Sequence, residues 1–206
     1  MEIDEKTLWN QKYRERSHSS LEPDPFLVKA YDEFLTVKPA GIALDVAGGV
    51  GRHAIWLAER GWRVKLVDIS EVGMQQAQEN AQRTGTAASV STAVLDLNDQ
   101  QDFGREQYDL VLVFFFLQRE LFPALTSAIK PGGHLIYRTY TTEQQNFSGG
   151  RWKSGPSHPM FLLQPHPMFL LQPNELLRAF QSLRVLHYHE TIQQKGVAEL
   201  VAQKQD

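Results

Sequence analysis

The sequence contains no cysteine among its 206 residues. Disulfides, thiolate metal centres and cysteine nucleophiles are excluded together. Long apolar runs are missing too. The longest, Leu110 to Leu117, falls far short of the ~20 residues that a membrane helix needs. The opening Met1-Glu2-Ile3-Asp4-Glu5-Lys6 has neither the basic start nor the apolar stretch of a secretory signal. A cytoplasmic protein without a membrane partner is expected. A large excess of either charge is also absent, with a net charge of -3 and a pI near 6.2. Proteins that hold a phosphate backbone usually carry a basic face, so long nucleic acid is not an expected partner.

What is present is a globular composition, 42% hydrophobic and 22% charged, at a length that suits one domain with a full core. Short β-branched runs recur at Ile42 to Val46, Arg63 to Asp68, Ser89 to Asp96, Asp109 to Phe115 and His134 to Thr139. Such runs read as strands buried on both faces of a parallel sheet. Helix punctuation lies between them. Ser70 is an N-cap, with Glu71 in the first turn and Gly85 as the stop. Arg52 to Arg60 reads as a helix ended by Gly61, and Arg119 to Ile129 as another. Pro131-Gly132-Gly133 turns the chain into the fifth strand. The alternation predicts right-handed crossovers and a doubly wound α/β sheet. Ser182 to Glu190 and Ala198 to Gln203 complete it as an antiparallel C-terminal edge pair, giving seven strands.

The glycines of Leu44-Asp45-Val46-Ala47-Gly48-Gly49-Val50-Gly51-Arg52 stand where the first strand meets the first crossover helix. Glycine there lets a ligand approach the backbone without a Cβ clash. Ligands of doubly wound sheets bind at the carboxyl ends of the strands. Asp68 ends the second strand, where a carboxylate can accept both hydroxyls of a ribose. Asp96 ends the third, placed for an adenine amino group. Three acids on successive strands outline a nucleoside pocket; singly, Asp68 and Asp96 would also serve as turn caps.

The acid and glycine loop resemble motif I of class I S-adenosylmethionine-dependent methyltransferases, with Ala47 at the place of the first glycine. Asp68 resembles the ribose acid, Asp96-Leu97 the adenine-contacting pair, Tyr108 to Phe115 the fourth-strand motif, and Lys130-Pro131-Gly132-Gly133 the turn before the fifth strand. The resemblance spans residues 40 to 140. It implies a Rossmann-like fold, S-adenosyl-L-methionine as cofactor, and Asp45, Ala47, Gly48, Gly49 and Gly51 at its amino-acid end. Ile69 would pack on the adenine, and Phe114 is included as a further cofactor contact. Leu8-Trp9-Asn10-Gln11-Lys12-Tyr13-Arg14 is similar to the opening of the tellurite-resistance and thiopurine methyltransferase-like group, whose N-terminal helix closes over the cofactor. Trp9 and Tyr13 share a helix face and either cover the cofactor or pack on the sheet. The division expected is a helical cap over 1–38, a cofactor core over 40–140, a substrate or lid region over 141–181 and C-terminal strands over 182–206.

Two other readings stand beside this one. Gly49-Val50-Gly51-Arg52-His53-Ala54, with Asp68 beyond it, also fits a dinucleotide fingerprint and an NAD(P)-dependent oxidoreductase. Asp45 would repel a pyrophosphate, Asp96 suits a terminal adenine, and no hydride-transfer constellation is evident, all of which count against it. The other is a non-catalytic S-adenosylmethionine-binding protein.

The expected acceptor is a small molecule. No Asp/Asn-Pro-Pro-Tyr/Phe motif follows the fourth strand, where Phe114-Phe115-Phe116 forms either an apolar pocket wall or core packing. No residue declares itself as the catalyst; Arg138, Tyr140 and Glu143 leave the fifth strand near the expected methyl position. Arg138 would bind an anionic acceptor or form a surface salt bridge. Gly149 to Lys153 reads as a basic lid, and HPMFLLQP at 158–165 is repeated identically at 166–173, a lengthened loop that either borders the pocket or is neutral. His187 and His189 share a strand face without a third ligand, so no metal is expected.

Overall fold

A computed structural model describes residues 4–15, 20–36, 39–146 and 169–205. The Gly149 to Lys153 stretch and the repeat up to residue 168 lie outside the described residues. Six helices are described: α1 (Glu5–Arg14), α2 (Pro25–Phe34), α3 (Arg52–Ala58), α4 (Glu71–Arg83), α5 (Phe122–Ala128) and α6 (Glu175–Ala179). The strands are β1 (Ile42–Val46), β2 (Arg63–Asp68), β3 (Val90–Val94), β4 (Tyr108–Phe114), β5 (Ile129–Tyr140), β6 (Arg184–Thr191) and β7 (Val197–Gln203).

They form one sheet in the order β3-β2-β1-β4-β5-β7-β6. The first five pair in parallel, while β7 runs antiparallel to both β5 and β6. This is the seven-stranded doubly wound sheet with an antiparallel edge that the sequence predicts. The chain steps outward from β1 to β3, then returns to β4 on the other side of β1. That reversal opens a crevice at the carboxyl ends of β1 and β4.

Strand alternation splits the core into two layers. Leu44, Val46, Val111, Val113, Leu135 and Tyr137 face α5 and α6, packing with Leu125 and Phe180. Ala43, Leu110, Leu112 and Ile136 face α2, α3 and α4, with Leu27, Leu57 and Ala77. Helices on both faces explain the near-continuous apolar strands.

Three boundaries differ from the sequence reading. The helix expected from Arg119 begins as a 3₁₀ turn, Arg119–Leu121, and becomes α-helical at Phe122. Pro123 lacks an N–H and suits only a first helical turn, so a continuous helix from Arg119 is not available. The Pro131 turn interrupts β5 rather than preceding it. Tyr108 pairs with Ile129, Leu110 pairs with His134, and residues 130–133 bulge between them. Finally, β3 stops at Val94, and Asp96 lies beyond it in a turn, its Oδ1 accepting from the Asn98 N–H at 2.9 Å.

Candidate active site

After β1 the chain turns through Ala47, Gly49 and Gly51 at φ of 54°, 58° and 83°, all left-handed. Only glycine adopts this region freely, so Ala47 carries a local cost of roughly 1–2 kcal/mol. The loop rests on the core. A Cβ on Gly48 would lie 2.3 Å from Leu66 Cδ1 and 2.6 Å from Asp45 Cγ. Above the loop sits Tyr13, whose hydroxyl would be 2.4 Å from a Cβ on Gly49.

Asp68 joins the loop to β2. Its Oδ2 accepts from the Gly49 N–H at 3.0 Å and its Oδ1 from the Ser70 N–H at 2.9 Å. A carboxylate has about four lone-pair sites, so two remain for hydroxyl donors. Leu95 N–H donates to the Asp68 carbonyl at 2.9 Å, which brings the Asp96 turn beside Asp68. Asp96 and Ile69 are partly buried, while Leu97 is buried and its carbonyl accepts from Gln118 Nε2 at 3.0 Å.

Asp45 is fully buried beneath the loop, and neither carboxylate oxygen meets a donor at full hydrogen-bond geometry. Burial raises its pKa to about 7, and the charge of Asp68 adds to the shift; Arg52 and the Ala54 N–H oppose it. Burial likewise raises Asp68 to about 6, against the Ser70 and Gly49 N–H groups. Both values lie above the ordinary 3.8. The folded chain therefore binds more protons than the unfolded chain between about pH 4 and pH 7. Stability from these groups is largest near pH 4 and falls as pH rises to about 7. Asp45→Asn is expected to flatten that decline and to melt higher than wild type at pH 8. Thermal denaturation across pH checks this; an unchanged slope contradicts it.

The N-terminal helix reaches this site through α4. Asn10 Oδ1 accepts from Ser70 Oγ at 2.6 Å and from the Val72 N–H at 3.2 Å. Gln76 Nε2 donates to the Tyr13 carbonyl at 3.0 Å. Trp9 and Tyr13 stack at 5.7 Å, and Lys12 Nζ sits 3.9 Å from the Trp9 ring centre. Burial and the Asp96 charge raise the pKa of Glu5, so this end of α1 lies within the field of Asp96.

The aromatic triplet after β4 divides. Phe114 is buried against His53, ring centres 4.2 Å apart, within the layer under α2 and α3. Phe115, at φ 55°, is the ring that reaches the crevice. It sits 5.0 Å from the Tyr140 ring, 5.5 Å from the Arg138 guanidinium and 6.0 Å from that of Arg52. Phe115, Arg138 and Tyr140 line a cavity of ≈ 440 Å³ together with Asp24, Lys29, Lys195 and Glu199.

Arg138 is not the surface residue that one sequence reading expects. Its side chain is 6% exposed and pairs with Asp24 and, at 3.2 Å, with Glu199. Glu199 is its cross-strand neighbour, and Asp24 caps α2 by accepting from the Phe26 N–H at 2.9 Å. Its fork is thus committed within the protein, not held open for an acceptor. Burial raises the pKa of Tyr140, against Arg138 and Arg52, so the phenol is a proton donor at neutral pH and not a base. Glu143 is not in the cavity lining; its carboxylate accepts from Asn146 Nδ2 at 2.8 Å on the turn Thr142–Asn146. Sequence reasoning missed Asp24 and Glu199. Asp24-Pro25 is a readable helix start, but nothing in the sequence ties it to Arg138.

Among the described residues no three His, Asp or Glu side chains are grouped to hold a metal ion, and no helix is long and apolar enough to cross a membrane.

Residues 43–133 match the protein family described as a methyltransferase domain. The chain is 30% identical over 102 residues to the tRNA 5-carboxymethoxyuridine methyltransferase of Escherichia coli K12, matching 47% of this chain and 39% of that protein. It spans well under half the length of that curated relative. Among solved structures, TehB from Haemophilus influenzae superposes with a TM-score of 0.69 at 18% identity, covering 95% of this chain and 67% of that one. A geranyl diphosphate C-methyltransferase from Streptomyces coelicolor A3(2), bound to geranyl diphosphate and S-adenosyl-L-homocysteine, gives 0.64 at 14% identity, covering 86% and 76%. These likenesses establish the fold. An all-parallel dinucleotide-binding order is excluded by antiparallel β7 lying between β5 and β6.

Proposed function

We infer that this chain, whose residues 43–133 match a methyltransferase domain, is a class I S-adenosylmethionine-dependent enzyme that transfers the methyl group of S-adenosylmethionine to a small-molecule acceptor in the cytoplasm. The observation that carries the reading is the pairing of Asp68 with the Gly49 N–H at the point where strand order reverses. It joins a ribose-binding carboxylate and a glycine cradle in one unit.

The residues present fit the cofactor. Asp68 keeps lone pairs for ribose hydroxyls, and Asp96 with Leu97 and Ile69 frames an adenine. Ala47, Gly48, Gly49 and Gly51 shape a tight loop for the amino-acid end, with the Tyr13 hydroxyl against Gly49 and the Asp45 carboxyl buried beneath. Trp9 and Tyr13 close the site from α1. We assign residues 40–140 to the cofactor, 1–38 to its cover, 141–181 to the acceptor and 182–206 to completing the sheet.

Bound S-adenosylmethionine supplies an electrophilic methyl carbon, and an acceptor lone pair bonds to it as the carbon–sulfur pair returns to sulfur. The chain's own task is alignment. Phe115 stands between Arg52, which follows the glycine loop, and Arg138 in the cavity wall, so it borders both the cofactor loop and the acceptor space. Tyr140 offers a hydroxyl donor there.

The Escherichia coli relative acts on tRNA by its name, whereas the net charge of -3 favours a small acceptor here. S-adenosylhomocysteine formation, followed by mass spectrometry with small-molecule acceptor pools and with bulk tRNA, tests the choice. Turnover with a small-molecule pool and none with tRNA is expected. Turnover with tRNA alone would overturn the acceptor class, and no turnover despite cofactor binding would favour a non-catalytic binding protein.

A further inference from the structure

The cavity beside Phe115 carries an unbalanced positive charge. Its two carboxylates, Asp24 and Glu199, both pair with Arg138. Its two lysines, Lys29 and Lys195, form no ion pair among the described residues. Their positions are set by the fold. Lys29 lies on α2 one turn beyond the Asp24 cap. Lys195 precedes Gly196, whose N–H donates to Gln144 Oε1 at 2.8 Å and whose carbonyl accepts from the Thr141 N–H at 3.0 Å. The acids Asp32 and Glu33 of α2, with Glu22, line an adjoining surface concavity that shares Pro25 and Lys29 with this cavity, though none of them pairs with Lys29 among the described residues.

The rest of the wall is apolar or aromatic, from Pro25, Phe26, Phe115, Tyr140 and Val197. Phe115 and Tyr140 sit with ring centres 5.0 Å apart, and Phe115 holds a left-handed φ of 55° while its N–H donates to the Arg138 carbonyl at 2.7 Å. A bulky residue in that region is strained and persists where its surroundings fix it. The ring lies 6.0 Å from the Arg52 guanidinium, which follows the glycine loop, and lines the same cavity as the two lysines.

We propose that this cavity selects a planar acceptor bearing an acidic group, with the ring against Phe115 and Tyr140 and the anion held at the mouth by Lys29 and Lys195. The inference rests on the methyltransferase reading for its placement of the cofactor beside Phe115. Arg138 serves as a positioning residue: by engaging Asp24 and Glu199 it keeps both carboxylates off the two lysines, and three cations against two anions leave the lining at a net charge of +1.

The test uses the full chain saturated with S-adenosylhomocysteine, titrated with 1-naphthoate and with 1-naphthamide, its neutral counterpart. The acid is expected to bind about tenfold more tightly, the effect of two exposed charge contacts of modest strength. In the Lys29→Gln/Lys195→Gln variant that preference disappears, while affinity for S-adenosylhomocysteine and the melting temperature stay at wild-type values. Equal affinities, no binding of the acid, or a preference that survives in the variant would each overturn the proposal. Loss of S-adenosylhomocysteine binding by wild type is a separate readout, and would fault the cofactor assignment instead.

Discussion

Asp68→Ala is expected to weaken S-adenosylhomocysteine binding by about 100-fold or more. The carboxylate is placed for two ribose hydroxyls, and each charge-assisted hydrogen bond is worth about 1.5–3 kcal/mol. Losing both removes at least about 3 kcal/mol, which is just over two decades in affinity. The same substitution strips an acceptor from the buried Gly49 and Ser70 N–H groups. Leaving them unpaired costs about 1–3 kcal/mol each, offset in part because a buried charge is removed. The variant should therefore melt lower as well as bind worse. Asp68→Asn keeps one acceptor oxygen and separates the effects: stability should recover more than affinity. Calorimetric titration and thermal denaturation of both variants check this, and wild-type affinity in Asp68→Ala contradicts the ribose assignment.

Arg138→Met is the second large effect, and it is one of stability. Asp24 and Glu199 lie at 7% and 17% side-chain exposure, with Arg138 as their shared partner. Removing one member of a buried ionic cluster typically costs about 3–5 kcal/mol, because the remaining charges stay desolvated. For a domain of this size that is a fall on the order of 10 °C in melting temperature. The cluster joins the α2 cap to β5 and β7, so the acceptor cavity should loosen with it. If uncompensated charge is the cause, Asp24→Asn and Glu199→Gln added to Arg138→Met should restore most of the loss. A melting temperature within about 2 °C of wild type in the single variant would show that the cluster contributes little, as exposed pairs do.

The sheet was legible because its signals are local. Apolar β-branched runs, the Ser70 cap and the glycine stops each act within a few residues, and they lead to β1 through β5 and α4 with small boundary shifts. The glycine loop, Asp45 and Asp68 were legible for the same reason, since a strand end followed by glycines is a local pattern. The acceptor side was not. Arg138 reads alike from sequence whether it binds an acceptor or a protein carboxylate, and its partners are 114 and 61 residues distant along the chain. Phe114 and Phe115 are adjacent aromatics, and which one enters the core depends on a single left-handed φ at the strand end. Asp96 shows a mixed outcome: its placement beside Asp68 follows from the strand register, while its carboxylate also caps a turn, the role that sequence weighed against adenine recognition.

The central claim is that the glycine loop and its acids form an S-adenosylmethionine pocket. Calorimetric titration of the purified chain with S-adenosylhomocysteine, beside NADH under the same conditions, tests it most directly. The account predicts micromolar binding of S-adenosylhomocysteine, on the order of -8 kcal/mol, and no measurable heat with NADH. Binding of NADH in preference, or of neither, would contradict it.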